Sequence, residues 1–432
     1  MTGMSAQLLT PDAPAAMLFV RTQRIEEPVD LLEHVPADLS GAWIRHSQGF
    51  LARGTAWSVQ TAGPHRFAAA SAAFRELVAD ARVDDEVRVR TSGLISLGSF
   101  SYADSSARLS TLMVPRALLG VHDGEAFLTV VGVGEEPELP ASWRDLFPSG
   151  PVPEAPLDEL DVEADHTPDE YQSLVQEAVA EIRAGRAAKV VLSERTTVRS
   201  AGPLEPAVML TRLARAYPST WVYHLQDIVG ASPEMLAQTE DGRVFSRVLA
   251  GSRPVADDGE LDEIDRRAFR TDAKELSEHA FAVDSVVERL AGLAEEIEVS
   301  GDPFVLRLPG LEHLASDVSA RLREGTTSLD VASRLHPSAA VSGTPREEAD
   351  EISARLEPKD RGGYASPVGW MDSRGDGQWA IALRMAHLVD GHTVVMQAGG
   401  GLVAASDPVS EHAEALAKCR PMLRALRGDQ PS

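Results

Sequence analysis

The sequence predicts an α+β fold on the basis of three observations. Strand-like runs of β-branched and aromatic residues cluster along the chain, as at 189–192 and 221–225. Stretches with helical spacing, such as 270–297, are separate from those clusters. Regular alternation of strands and helices is rare, and a doubly wound parallel sheet would require it. We therefore favour sheets and helices that are segregated along the chain.

Residues 1–155 contain short apolar runs that are broken by Gly, Pro and Asp. Strands are predicted at 109–114 and 127–131. Residues 135–169 are rich in Pro, Glu and Asp, a composition typical of a surface connection between two parts or of a long loop inside one domain. Because no cluster of chemically reactive side chains occurs before this stretch, we expect the N-terminal part to be a scaffold.

Residues 156–432 give sharper signals. Thr167 is followed by a proline and, at the third helical position, by Glu170, a combination that predicts a capped helix start. Gly185 can end that helix. Lys189 then opens a β-branched strand, and a long helix is predicted over 270–297.

The end of the chain is predicted to contain two paired strands and a helix. The strands lie at 378–383 and 393–396, with a turn at Asp390-Gly391 between them. The helix starts at Asp407-Pro408, and Pro421 predicts that it ends or kinks near residue 420.

Composition restricts the classes of function. The chain has 432 residues and a formal net charge of −25, which disfavours nucleic acid and anionic membranes as partners because both need a basic surface. Its one cysteine, Cys419, rules out a disulfide within the chain and a cysteine-rich zinc site. Neither a basic N-terminal start nor an apolar run of roughly 20 residues is present, so the expected location is the cytoplasm.

Two pairs of carboxylates have helical i,i+3 spacing. Glu275 and Glu278 lie on the predicted long helix. Glu411 and Glu414 lie on the last helix, with Lys418 four residues further on the same face. Carboxylates from two helices, completed by waters and an anionic ligand, suit Mg²⁺. The alternative is that both pairs are solvated helix faces of a very acidic protein.

Several other residues are candidates for catalysis or binding, each with a structural alternative. A buried Lys189 amine can act as a general base, or it can simply reach solvent from the strand end. Glu234 can be a desolvated general acid or a structural turn residue. Arg384 can bind a carboxylate or face solvent, and His336 can be catalytic or a hydrogen-bonded structural histidine. The glycines of 397–401 can bring backbone N–H groups to an anion or form a tight turn.

In their order along the chain, these residues and their motifs resemble the chorismate-utilising enzymes. That family includes isochorismate synthases, salicylate synthases and the large chains of anthranilate and aminodeoxychorismate synthases. The resemblance covers roughly residues 165–425. The matching stretches are KVVLS (189–193), GASPE (230–234), LAGSR (249–253), KELSEH (274–279), LHPSAAVSGTPR (335–346), YASPVGW (364–370), GDG (375–377), ALR (382–384) and QAGGG (397–401), followed by Glu411, Glu414 and Lys418.

The resemblance implies one large α+β domain in which two antiparallel sheets pack as a sandwich with helices outside. Residues 1–155 would be the variable N-terminal part of that fold, and residues 156–432 the motif-rich part that carries the active site. Family members with a lysine at the position of Lys189 add water at C2 of chorismate, whereas aminating members generally lack it. The physical reason is that water needs a base, whereas ammonia is already a nucleophile.

The resemblance also assigns roles to residues. Lys189 in its neutral form is expected to deprotonate the attacking water, and Glu234 to protonate the departing C4 hydroxyl. The expected ligands of Mg²⁺, which would lie against the ring carboxylate, are Glu278 and Glu414, with Glu275 and Glu411 in or near the coordination shell. The expected substrate-binding residues are Ser252 at the leaving oxygen, His313 near the pyruvyl group, Tyr364 and Arg384 at the enolpyruvyl carboxylate, Gly399 and Lys418 at the ring end, and His336.

The predicted activity is the Mg²⁺-dependent conversion of chorismate to isochorismate. Several motifs, among them GASPE and the Ala340-Val341 pair expected to line the ring pocket, are more similar to isochorismate synthases than to salicylate synthases, which go on to eliminate pyruvate. That alternative stays open, as do an anthranilate or aminodeoxychorismate synthase large chain and a non-catalytic acidic binding protein. The chain is expected to act as a monomer without a glutaminase subunit. Both menaquinone and siderophore biosynthesis are compatible with the sequence.

Overall fold

The computed structural model of the protein describes residues 16–150, 160–254, 263–308 and 311–428. The strands of these ranges are β1 (Leu18–Ile25), β2 (Leu39–Arg45), β3 (Gln48–Arg53), β4 (Trp57–Thr61), β5 (Arg82–Asp85), β6 (Ile95–Ser99), β7 (Ser110–Val114), β8 (Ala117–His122), β9 (Glu125–Val133), β10 (Asp161–Ala164), β11 (Lys189–Arg199), β12 (Trp221–Leu225), β13 (Ile228–Ser232), β14 (Met235–Glu240), β15 (Arg243–Pro254), β16 (Ala294–Val299), β17 (Phe304–Leu308), β18 (Leu311–Leu322), β19 (Gly343–Thr344), β20 (Pro367–Asp372), β21 (Gly377–Ile381), β22 (Met385–Leu388) and β23 (Thr393–Leu402). The α-helices are α1 (Arg66–Asp80), α2 (Pro168–Arg183), α3 (Pro206–Ala216), α4 (Glu263–Arg270), α5 (Ala273–Leu290), α6 (Ser328–Leu335), α7 (Arg346–Leu356) and α8 (Pro408–Arg427).

Two large sheets contain these strands. The thirteen-stranded sheet has the order β10-β11-β23-β22-β13-β12-β2-β3-β8-β9-β1-β5, with β19 attached to β11. The ten-stranded sheet has the order β16-β18-β15-β14-β21-β20-β6-β7-β4, with β17 attached to β18. Among the strand pairs of the described residues, only β1 and β5 are parallel. Each sheet combines strands from the N-terminal and the C-terminal part of the chain.

The two sheets face each other across a shared apolar core. Trp43 and Phe50 of the thirteen-stranded sheet and Trp370 and Trp379 of the ten-stranded sheet belong to one cluster of buried residues. A hydrogen bond of 2.9 Å from Trp43 Nε1 to Gln378 Oε1 also joins the sheets. Burial of the large aromatic side chains stabilises the contact between the layers. The predicted α+β sandwich is therefore confirmed.

The helices pack against the two sheets. Helices α1, α5 and α6 contact the ten-stranded sheet, and α2, α3, α7 and α8 contact strands of the thirteen-stranded sheet. Helix α2 begins with the predicted capping box of Thr167 and Glu170. Helix α8 continues through Pro421 to Arg427, so of the two outcomes predicted for Pro421, an end or a kink near residue 420, the end does not occur. Met422 and Leu426 are buried in an apolar cluster beyond the proline, and this packing outweighs the local cost of the proline ring.

The prediction of one helix over 270–297 was wrong at both ends. Helix α4 ends at Arg270, and α5 covers only Ala273–Leu290. Residues 294–299 form β16, which pairs with β18. In that segment the apolar residues Ile297 and Val299 alternate with acids, a period of two that fits a strand edge.

The predicted pairing of 378–383 with 393–396 was also wrong. Strand β21 lies in the ten-stranded sheet, whereas β23 lies in the other sheet and pairs with β22 and β11. Arg384, between β21 and β22, has a φ of 50°, and the chain passes from one sheet to the other at this residue. Residues 397–401 are part of β23, so the tight turn considered for these glycines does not form.

Candidate active site

A cavity of about 430 Å³ lies where β11, β23, α5 and α8 approach the start of β14. Most of the side chains predicted to act in catalysis or binding line this cavity. The predicted residues found there are Lys189, Glu234, Glu275, His313, Tyr364, Arg384, Gly399, Glu411, Glu414 and Lys418. The side chains of Ser252 and Glu278 lie outside the part of the chain that the structure describes.

Lys189 is placed at the cavity by the pairing of two strands. It is the first residue of β11, and Val191, two residues on, lies opposite Gly401 of β23. A Cβ atom at Gly401 would lie 2.4 Å from Lys189 Cε and 3.2 Å from Lys189 Nζ. The lysine side chain therefore runs directly over the bare backbone of Gly401, and a glycine is required there for this placement.

The glycines of β23 bring its backbone close to β11 and to α8. A Cβ atom at Gly399 would lie 2.0 Å from the carbonyl oxygen of Leu192, so the strands could not approach in this way with a side chain at that position. Lys418 Nζ of α8 donates a hydrogen bond of 2.8 Å to the carbonyl oxygen of Gly399. The same amine lies 2.6 Å from Glu414 Oε1. This contact ties α8 to the strand that carries Gly401.

The acidic end of the cavity contains Glu275 from α5 and Glu411 and Glu414 from α8. Desolvation raises the pKa of Glu411, and the neighbouring charge of Glu414 acts in the same direction. Desolvation lowers the pKa of Lys418, whereas Glu414 opposes that shift. Carboxylates of like charge in one partly buried space favour a bound cation.

Glu234 lies between Ser232 and the first residue of β14. Its backbone is fixed, because its carbonyl oxygen accepts a hydrogen bond of 3.0 Å from the Ile381 N–H and its N–H donates one of 3.2 Å to Ser232 Oγ. Desolvation raises the pKa of Glu234 to about 7, although nearby positive charges, including that of Lys189, act in the opposite direction. A substantial fraction of this carboxyl is therefore protonated at neutral pH, as a general acid requires.

Arg384, Tyr364 and His313 form another part of the wall. Arg384 has left-handed backbone geometry, and its carbonyl oxygen accepts a hydrogen bond of 3.2 Å from the Ala231 N–H. Desolvation raises the pKa of Tyr364 to about 12. Desolvation, assisted by the charges of Lys418 and Arg384, lowers the pKa of His313 to about 4. The tyrosine and the histidine are therefore neutral at physiological pH, and Arg384 supplies positive charge.

His336, which is predicted to bind substrate, is not among the residues that line the cavity. Its ring is buried against the rings of Phe67 and Tyr102. His336 Nε2 lies 2.9 Å from the carbonyl oxygen of Tyr102, and desolvation lowers the pKa of His336 to about 3. The motif that contains His336, LHPSAAVSGTPR (335–346), nevertheless contributes to the cavity, because its residues Ala340 and Val341 line it as predicted.

A buried ion pair behind the cavity wall was not foreseen. Arg361 Nη2 donates to the carbonyl oxygen of Val191 at 2.9 Å, and Nη1 donates to that of Val341 at 2.8 Å. Arg361 Nε lies 2.7 Å from Glu357 Oε2, and both side chains are more than nine-tenths buried. Glu357 also accepts a hydrogen bond of 2.6 Å from the Ser193 N–H. The pair therefore holds two cavity-lining segments at a fixed separation.

Gly400 and Gly401, from the candidate segment 397–401, also line the cavity. The remaining lining residues, to which the sequence assigned no individual role, are mostly apolar or lie at the start of α8. They are Val191, Pro233, Leu249, Ala250, Gly251, Leu383, Val403, Ala405, Ser406, Asp407 and Ser410. The helix start at Asp407 was predicted, and its carboxylate accepts from the Ser410 N–H at 2.9 Å. The position of this helix start at the edge of the cavity depends on where β23 ends. The local sequence does not specify that end point.

The cavity of the sandwich combines a desolvated carboxyl, an amine, an arginine and a group of carboxylates, a set of groups typical of an enzyme site. The family model described as chorismate binding enzyme matches residues 42–427. The chain belongs to this family of chorismate-binding enzymes.

Individual relatives and a solved structure agree with this family. The chain is 30% identical over 375 residues to the isochorismate synthase MenF of Bacillus subtilis (strain 168), covering 80% of this chain and 78% of that protein. It is 38% identical over 273 residues to the anthranilate synthase component 1 of Streptomyces coelicolor, covering 61% of this chain and 52% of that protein. The structure of MenF, the menaquinone-specific isochorismate synthase from Escherichia coli, superposes with a TM-score of 0.78 at 22% identity, covering 96% of each chain, and shares the fold.

Among the described helices, none combines the length and the apolar character of a membrane span.

Proposed function

We propose that the protein is an isochorismate synthase, which converts chorismate to isochorismate by adding water at C2 and releasing the C4 hydroxyl. The observation that carries the proposal is that Lys189 and Glu234 line the same cavity. A reaction that adds water at one carbon and expels hydroxyl from another needs a base and an acid at the two sites. The similarity to relatives named isochorismate synthase supports the same activity.

The proton balance of the reaction follows from these two residues. Lys189 in its neutral form takes a proton from water, and the water oxygen forms a bond to C2. The ring double bonds shift and the C4–O bond breaks. Glu234 gives its proton to the departing oxygen, which leaves as water. One proton has then moved onto Lys189 and one has left Glu234, so the substrate and the product have the same composition.

The remaining cavity residues would bind the two carboxylates of the substrate. Arg384 offers a planar guanidinium for one carboxylate, and neutral Tyr364 can donate a further hydrogen bond. Lys418, fixed at the Gly399 carbonyl, adds positive charge at the end where β23 and α8 meet. These groups supply local positive potential in a chain whose net charge is −25.

We also propose that the carboxylates of the cavity hold Mg²⁺. Glu275, Glu411 and Glu414 present only oxygen ligands, which suit this ion. Desolvation is the main cause of the raised pKa of Glu411, and the negative charge of Glu414 adds a contribution that a cation would offset. Among the described side chains, no three His, Cys, Asp or Glu residues form a group that could hold a metal ion by themselves. The ion would therefore depend on the ring carboxylate and on water as further ligands, and would supply positive charge for that carboxylate. Glu278 is the fourth carboxylate of the proposed set.

We further propose that residues 1–155 and 156–432 form one integrated domain. The support is that each sheet contains strands from both parts.

No glutaminase partner is needed for the proposed reaction, because water rather than ammonia is the nucleophile.

Product analysis tests the proposed function. The pure protein is incubated with chorismate and Mg²⁺, with and without ammonia, and the products are resolved by chromatography. Isochorismate is the expected product. Salicylate with pyruvate would move the protein to the salicylate synthases, an ammonia-dependent aminated product would reject the role of Lys189, and no conversion would favour a binding protein. Lys189→Ala should lower turnover roughly 10²–10⁴-fold, the usual contribution of a general base. Lys359→Ala, which removes an exposed lysine, is the matched control.

A further inference from the structure

Glu234 lines two cavities rather than one. Besides the main cavity, it borders a narrow pocket of about 30 Å³ between β15, α5 and the segment 335–340. Leu249 and Ala340 are also shared by the two cavities. The narrow pocket therefore adjoins the main cavity at Glu234.

The far end of the narrow pocket is close to the protein surface. Ala282, Ser285 and Val286 of α5 line it and are only partly buried. The side chain of Arg247, another lining residue, is 37% exposed. The pocket therefore runs from Glu234 toward solvent along the contact between α5 and β15.

The narrow pocket is lined by a serine whose buried hydroxyl lacks a partner among the described residues. The Oγ atom of Ser338 is buried and contacts no hydrogen-bond partner among the described residues. Buried hydroxyls normally have a partner, and a water often provides it. A buried water needs roughly 10–15 Å³ of space accessible to its centre, so the pocket has room for it. The segment that carries Ser338 is held in place, because Arg289 Nη1 donates to the carbonyl oxygens of Leu335 and Pro337 at 3.0 and 2.8 Å.

We propose that water in this pocket returns a proton to Glu234 while substrate or product fills the main cavity. The inference rests on the proposed function, in which each turnover leaves Glu234 as a carboxylate and Lys189 as an ammonium. Glu234 must then gain one proton, and Lys189 must lose one. The proposal requires that a bound ring closes the main cavity to solvent, whereas the narrow pocket at Glu234 stays open. Ser338 is a positioning residue in this account, because its hydroxyl orients the water that contacts Glu234.

Closing the narrow pocket should slow the return of the proton without changing the chemical step. Ser285→Leu places an apolar side chain at the outer end, and Ser285→Ala is the matched control that leaves the pocket open. Without the pocket, Glu234 regains its proton only through the main cavity, after product has left and before substrate binds. Turnover at saturating chorismate should therefore fall at least about fivefold, whereas kcat/KM should stay within about twofold of the parent value. Ser338→Ala should also lower turnover at saturating chorismate while kcat/KM stays nearly unchanged, but by a smaller factor.

The outcomes separate this inference from the proposed function. Unchanged kcat in Ser285→Leu, with the thermal unfolding midpoint also unchanged, would overturn the pocket's role and leave isochorismate formation intact. A parallel loss of kcat and kcat/KM would also overturn it, because a disturbed active site lowers both. If the unsubstituted protein forms no isochorismate, the proposed function itself fails. Single-turnover rates, with enzyme in excess, should be equal in the two Ser285 variants.

Discussion

Gly401 lies directly beneath the side chain of Lys189, so that a Cβ atom at position 401 would come within 2.4 Å of Lys189 Cε. The two residues belong to neighbouring strands of the thirteen-stranded sheet. The position of the proposed base therefore depends on a residue more than two hundred positions away in the sequence, and on that residue having no side chain.

Gly401→Ala should displace the lysine amine while leaving the fold intact. The atom in the way is near the flexible end of a side chain, so the lysine moves rather than the backbone. A displacement of about 1 Å can lower turnover about a hundredfold. Steady-state kinetics with thermal unfolding tests this. Gly391→Ala is the control, since a Cβ atom there meets no atom within 4 Å. Full activity in Gly401→Ala would contradict the proposed dependence.

The raised pKa of Glu234 predicts the alkaline limb of the pH profile. The residue acts as an acid and must be protonated, and its pKa in the structure is about 7. The fraction of protonated Glu234 should fall about tenfold per pH unit above this value, and this fall enters kcat/KM as one factor, multiplied by the fraction of neutral Lys189. Glu234→Gln should remove this limb together with most of the activity. A Glu234→Gln variant with the same pH profile and the same activity as the parent would contradict the assignment of Glu234 as the acid.

The Arg361–Glu357 pair should contribute strongly to stability. Arg361→Met leaves the Glu357 carboxylate buried without its cation, which should lower the free energy of unfolding by about 3 kcal/mol. The double variant Arg361→Met/Glu357→Met should recover part of that loss, as denaturant unfolding can measure. The exposed pair of Arg321 and Glu296 is the control, and Arg321→Met should leave stability almost unchanged. Equal effects of the two arginine substitutions would contradict the structural role of the buried pair.

The carboxylates of α8 should couple Mg²⁺ to substrate binding. Mg²⁺ with chorismate should raise the thermal unfolding midpoint of the parent protein, because ligands that bind the folded state stabilise it. Glu414→Gln should reduce this shift and also release Lys418 from its partner at 2.6 Å. Glu295→Gln, in an exposed acid of β16, should leave the shift unchanged. A full shift in Glu414→Gln would contradict a role for this carboxylate in metal binding.

Local sequence patterns correctly predicted the helices and strands that depend on adjacent residues. The capping box at Thr167 and the β-branched strand at Lys189 depend on adjacent residues, and both occur where expected. The family-like motifs, taken in their order along the chain, also indicated most of the residues that line the cavity. The pairing of β23 with β11 and β22 could not be read from the sequence, because the contacts that fix it join distant segments.

Two other differences between the predicted and the observed structure also arise from contacts between distant segments. The chain changes sheets at Arg384, whose left-handed backbone is not a common preference of arginine. His336 belongs to a motif that reaches the cavity, but the motif's direction places Ala340 and Val341 there and buries His336 against Phe67. Side-chain direction in such a segment follows from packing rather than from composition.

The most direct test of the central claim is a conversion of chorismate in water labelled with ¹⁸O. Isochorismate should carry ¹⁸O in the C2 hydroxyl, because Lys189 activates a solvent water for attack at that carbon. Mass spectrometry of the purified product, with fragmentation to locate the label, measures this. Isochorismate without the label, or a product that forms only when ammonia is added, would contradict the attack of solvent water at C2.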